Sequence, residues 1–83
     1  MLPSVKKSYE EQGEIFFVCR NFARQDERVR EKIVTLCREA AGEYAPALFA
    51  YLTTGDSWQE VTMRHNISDR TLDRCRWKFY SAW

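Results

Sequence analysis

Residues 55–83 read GDSWQEVTMRHNISDRTLDRCRWKFYSAW, and two short helical patterns flank a turn in this stretch. Ser57 and Glu60 have the spacing of a capping box, in which each side chain satisfies a free backbone N–H at a helix start. Asn66 tolerates a left-handed backbone better than most residues, so it suits the turn. Ser68 is then predicted to cap the second helix. This arrangement is typical of a helix-turn-helix.

Three further helices are predicted before this stretch, over about 9–23, 27–41 and 46–54. Asp26 suits the cap of the second of them, and Gly42 its end. No segment alternates apolar and polar residues for long enough to form a strand. The sequence therefore predicts an all-α fold, a small bundle of about five helices in one domain. Residues 8–53 would support or dimerise a helix-turn-helix over 56–83, and residues 1–7 are expected to lack regular structure.

The composition is that of one folded domain, with 83 residues, 45% of them apolar and 30% charged. No apolar run is long enough for a bilayer span and no signal peptide opens the chain, so we expect a cytoplasmic protein without membrane association. Cys19, Cys37 and Cys75 are odd in number and widely spaced, which favours core positions over disulfides. A zinc site from Cys37, His65 and Cys75 lacks the close ligand pairs that such sites use. No catalytic constellation or phosphate loop is visible, so neither an enzyme nor a cofactor is predicted.

The charged residues are spread unevenly along the chain. Thirteen basic and twelve acidic residues give a net charge of +1, which alone is a weak indication of nucleic-acid binding. Residues 1–55 carry eight of each sign, whereas residues 68–83 carry four basic and two acidic residues. The positive excess therefore falls in the last predicted helix.

At 100° per residue, this last helix has two opposite faces. The apolar face holds Leu72, Cys75, Phe79 and Trp83. The other face holds Arg70, Arg74, Trp77 and Ser81, with Lys78 beside them. Because an arginine can donate two hydrogen bonds to one guanine, this stripe favours recognition of double-stranded DNA in the major groove.

The candidate DNA-binding residues lie in this helix and at its cap. Ser68 and Thr71 are predicted to contact phosphate, helped by the positive end of the helix dipole. The carboxylates of Asp69 and Asp73 would repel phosphate, so we interpret them as accepting from cytosine or as holding the stripe arginines in place. The full candidate set is Ser68, Asp69, Arg70, Thr71, Asp73, Arg74, Trp77 and Lys78.

Residues 55–79 resemble the sigma-factor region 4 type of helix-turn-helix, as found in small phage-encoded transcriptional regulators of Gram-positive bacteria. The matching positions are Gly55, Ser57, Trp58, Glu60, Val61, Ile67, Ser68, Arg70 and Thr71. The chain departs from that pattern at Thr62, His65 and Asn66, where the family has a small alanine, a leucine and a glycine. The resemblance implies a transcriptional regulator that binds duplex DNA.

Two other interpretations and one assembly prediction accompany this one. A basic stripe on a small bundle is also explained by an ordinary solvated face. Alternatively, the chain is a protein-interaction module that docks on RNA polymerase, with Trp77, Tyr80 and Trp83 as anchors. A homodimer is predicted from surplus apolar surface on the first two helices, which would pair two recognition helices. That surplus consists of Phe16, Phe22, Val29, Ile33, Leu36, Cys37 and Ala40.

Overall fold

The computed structural model describes residues 6–83, and the chain folds there into five α-helices without strands. They are α1 (Tyr9–Arg20), α2 (Glu27–Ala41), α3 (Ala45–Thr53), α4 (Trp58–Arg64) and α5 (Asp69–Ala82). The predicted all-α class is confirmed. Residues 1–7 were predicted to lack regular structure, and residues 1–5 of this segment lie outside the described part of the chain. Residues 6 and 7 lie outside any helix.

The helix ends follow local side-chain chemistry. Ser57 caps α4 in the predicted capping box, with its Oγ accepting from the backbone N–H of Glu60 at 3.1 Å. Asp26 caps α2 by accepting from a backbone N–H at 2.9 Å. Gly42 ends α2 with a φ of 55°, a left-handed angle that glycine adopts without the strain of a Cβ.

The first helix is shorter than predicted. It ends at Arg20 and not near Ala23, and the chain continues as a short 3-10 turn over Phe22–Arg24. The carbonyl of Phe17 in the last turn of α1 accepts from both the backbone N–H and the Nδ2 of Asn21, at 3.1 and 2.9 Å. Such a side-chain bond is not visible in hydrophobic periodicity.

The bundle is built around α2 and α3, of which α2 packs against both α5 and α3. Helix α3 in turn contacts α1, α4 and α5. The predicted core face of α5 is confirmed, since Leu72 and Phe79 are fully buried. All three cysteines are buried and free, as predicted for core residues.

The apolar surface that led us to predict a homodimer is covered inside one chain. Ile33 and Cys37 of α2 are buried, and Val29 and Leu36 pack partly buried against the same core. The predicted surplus on α2 is therefore wrong, because α5 and α3 lie on that face. None of the helices described for residues 6–83 combines the length and the apolar character that crossing a membrane requires.

Candidate nucleic-acid interface

Helices α4 and α5 are joined by a tight turn. Asn66 has a φ of 50°, so it takes the left-handed angle predicted for it. Ile67 follows as a buried side chain, and its N–H donates to the carbonyl of Thr62 at 3.1 Å. The turn thus has its own apolar anchor and fixes where α5 begins.

The cap of α5 uses both candidate hydroxyl groups. Ser68 Oγ accepts from the backbone N–H of Thr71 at 3.1 Å, and its hydroxyl donates to the Thr71 Oγ1 at 2.8 Å. Ser68 is exposed, whereas Thr71 is half-buried. The two residues hold the first turn of α5 together and leave Ser68 accessible to solvent.

The outward side of α5 is a continuous exposed arc, which we call the basic face. Its members span roughly 100° of the helix, on the side opposite Leu72 and Phe79. The basic face consists of Arg70, Arg74, Trp77, Lys78 and Ser81, all of them exposed. It carries three positive charges and no negative one.

The two acidic residues of α5 lie off the basic face and are engaged elsewhere. The indole N–H of Trp58 donates to Asp69 Oδ1 at 2.9 Å. Asp73 Oδ1 pairs with Arg76 Nη2 at 2.8 Å. Neither carboxylate bonds to Arg70 or Arg74 among residues 6–83, so the interpretation that they hold these arginines does not agree with the structure. Asp69 is exposed, and half of the Asp73 side chain is accessible to solvent.

Arg76 is the basic residue of α5 whose side chain is mostly buried. Its side chain is 17% exposed, and its guanidinium lies 4.9 Å from the ring centroid of Trp58. It also lies 6.0 Å from the ring of Tyr51. The Nε atom is buried and has no hydrogen-bond partner among residues 6–83, so the ring contacts and the bond to Asp73 hold this group in place.

Trp58 belongs to a row of aromatic rings from three helices, which Arg76 extends to a fourth. Its ring lies 5.1 Å from that of Tyr51, in an edge-to-face arrangement. Tyr51 lies 5.8 Å from Phe16, and Arg20 covers the Phe16 ring at 4.7 Å. With Arg76, this aromatic row connects α1, α3, α4 and α5. The sequence analysis missed the row because its members lie far apart in the chain and share no spacing pattern.

No family model, curated protein or solved structure matches the chain.

The side chains predicted as anchors for a protein partner are largely inaccessible. Tyr80 is 1% exposed, and burial raises the pKa of its phenol to about 12. Trp83 is half-buried, with its ring 5.8 Å from Phe79 and beneath the ammonium of Lys32 at 4.1 Å. The predicted anchor set is wrong for Tyr80, which is buried in the core. Trp83 is partly covered, and Trp77 is the most exposed of the three residues.

The cysteine thiols have no reactive surroundings. Burial raises the pKa of Cys19 and Cys37 to about 12, and it also raises the pKa of Cys75. Thiols held neutral in this way are poor nucleophiles and poor metal ligands. Within residues 6–83, no three histidine, cysteine or acidic side chains are grouped so that they could hold a metal ion.

Proposed function

We propose that this protein binds double-stranded DNA as a transcriptional regulator, with α4 and α5 as a helix-turn-helix and α5 as the recognition helix. The observation that carries the proposal is the basic face. A helix whose inner side is fixed in the core presents three cations outward, while its own two carboxylates are engaged by Trp58 and Arg76. An all-cationic exposed helix face complements the phosphate charge that surrounds the major groove.

The spacing of the arginines suits base recognition. Arg70 and Arg74 are one turn apart, about 6 Å along the helix axis, which is close to the rise of two base pairs. Each guanidinium can donate to O6 and N7 of a guanine, with roughly 1–3 kcal/mol of discrimination against other bases. The resemblance of residues 55–79 to sigma region 4-like regulators supports the same assignment.

Binding of two copies at one site is part of the proposal. A single recognition helix offers few base contacts, so specific binding at physiological salt normally uses two half-sites about one helical turn of DNA apart. With the apolar face of α2 covered, the need for base contacts is the remaining argument for a homodimer on DNA. Sedimentation of the protein alone and with a selected duplex measures the stoichiometry, and a one-to-one specific complex would contradict it.

The test is a binding titration on a random-sequence duplex and on a duplex selected from a randomised pool, at several salt concentrations. The double variant Arg70→Ala/Arg74→Ala should lose discrimination between the two duplexes. Arg28→Ala/Arg38→Ala is the matched control, because it removes the same charge from exposed positions on the outer side of α2. The control should lose only the modest, sequence-independent share of affinity that two distant charges supply.

Equal losses in the two double variants would contradict the groove assignment and leave a general electrostatic attraction. Absence of any duplex binding by the unmodified protein would overturn the proposal. That result would favour a protein partner such as RNA polymerase, with Trp77 as the exposed aromatic contact.

A further inference from the structure

Trp77 differs from the other two tryptophans in having no partner within the described chain. Trp58 donates to Asp69 and stacks with Arg76, and Trp83 lies under Lys32. Trp77 is 39% exposed, and no hydrogen bond or ring contact to it occurs among residues 6–83. This indole lies at one edge of the basic face, and it has an N–H donor without a partner in the described chain and part of a flat apolar surface to offer to a ligand.

The length of α5 indicates where this indole would lie on DNA. Fourteen residues make a helix of about 21 Å. A recognition helix in the major groove contacts base edges with its N-terminal residues. Arg70 and Arg74 fall within its first six residues, so the N-terminal half is the part placed to reach base edges.

The C-terminal half of α5 is held against the bundle. Phe79 and Tyr80 are buried, and the ring of Trp83 packs beneath Lys32 of α2. Trp77 is the ninth residue of α5, about 12 Å from its start. It therefore lies beyond the residues that reach base edges, where phosphates are the nearest groups of the DNA, and Lys78 lies at the other edge of the basic face.

We infer that Trp77 and Lys78 form a backbone clamp, in which the indole N–H donates to a phosphate oxygen and the Lys78 ammonium, at the other edge of the basic face, pairs with a second phosphate. The inference rests on the proposed function. It divides the basic face into two parts. Arg70 and Arg74 contact the bases, and Trp77 and Lys78 contact the phosphate backbone. Phosphate contacts fix the position of a recognition helix but carry no sequence information of their own.

The test compares three single variants on the selected and the random duplex across a salt series. Trp77→Phe keeps an aromatic ring and removes only the N–H donor, so we expect a loss of about tenfold to a hundredfold, equal on both duplexes, as for one hydrogen bond to a charged group. The salt slope should not change, since no charge is lost. Lys78→Ala should weaken both duplexes equally and reduce the salt slope by about 1.

Arg74→Ala is the contrasting variant, because its loss should fall mainly on the selected duplex. Circular dichroism and thermal melting of each variant show that the fold is kept. A Trp77→Phe loss confined to the selected duplex would overturn the clamp in favour of base reading. An unchanged affinity on both duplexes would overturn it as well. Binding by the unmodified protein tests the proposed function separately, so the two failures are distinguishable.

Discussion

The arginines of α5 lie in two different environments. Arg70 and Arg74 point into solvent, while Arg76 lies under the Trp58 ring and bonds to Asp73. Helical periodicity separates the first two from the core. It does not reveal the role of Arg76, because the rings that receive its guanidinium belong to α3 and α4. The exposed part of the candidate site was therefore predictable from the sequence, and the fate of its charged neighbours was not.

Replacement of Arg76 by lysine tests this role. A lysine keeps the positive charge but lacks the planar guanidinium, which lies on the Trp58 ring and bonds to Asp73 at the same time. Arg76→Lys should therefore lower the free energy of unfolding by about 1–2 kcal/mol. Urea denaturation followed by circular dichroism measures the loss. The matched control is Arg74→Lys on the basic face, with an expected change within about 0.5 kcal/mol. Equal changes in both variants would mean that the ring contact contributes nothing to stability.

At the scale of elements, the helix starts could be predicted and the helix contacts could not. Helices are capped by Ser57, Ser68 and Asp26, and each side chain bonds to the backbone N–H of the residue three positions later in the chain. Each cap therefore involves only a few consecutive residues. The packing of α2 against α5 depends on how the intervening helices fold back. The packing of α5 and α3 covers the apolar face of α2 that the sequence predicted to pair with a second chain.

The turn between α4 and α5 offers a test of backbone conformation. The side chain of Asn66 makes no hydrogen bond within the described residues, so a substitution there acts through its φ of 50°. Asn66→Ala should destabilise the fold by about 1 kcal/mol, because alanine tolerates the left-handed region poorly. Asn66→Gly should be neutral or stabilising. Thermal melting of the pair is the measurement, and a less stable glycine variant would contradict the argument.

Phe79 tests the contact that orients α5. Its ring is fully buried in the core and touches both Tyr80 and Trp83. Phe79→Ala should cost roughly 3–5 kcal/mol, a large part of the stability of a domain this small. Urea denaturation should show a lost or strongly shifted transition. Ser81→Ala, exposed on the same helix, is the control and should melt like the unmodified protein.

The whole molecule should lose stability in alkaline solution. Burial raises the pKa of the Cys19 and Cys37 thiols to about 12 from an ordinary 9.0, and that of Tyr80 to about 12 from 10.0. Above about pH 9 the unfolded chain therefore binds fewer protons than the folded one, and the free energy of unfolding falls as pH rises towards 12. Below pH 9 these groups are protonated in both states and contribute no pH dependence.

Urea denaturation at a series of pH values from 8 to 11 measures this slope. The variant Cys19→Ala removes one of the buried acids, so its stability should decline less steeply with pH than that of the unmodified protein. Parallel curves for the two proteins would show that the Cys19 thiol does not contribute to the alkaline loss.

The differing surroundings of the three indoles give the protein a built-in optical signal. Trp77 is the most exposed of the three, and it lies among cations that attract an anionic quencher such as iodide. Trp58 and Trp83 emit from beneath arginine and lysine side chains within the bundle. A ligand that covers the basic face would shield one emitter from iodide and leave the other two as an internal reference, so occupancy of this surface can be followed without any attached dye.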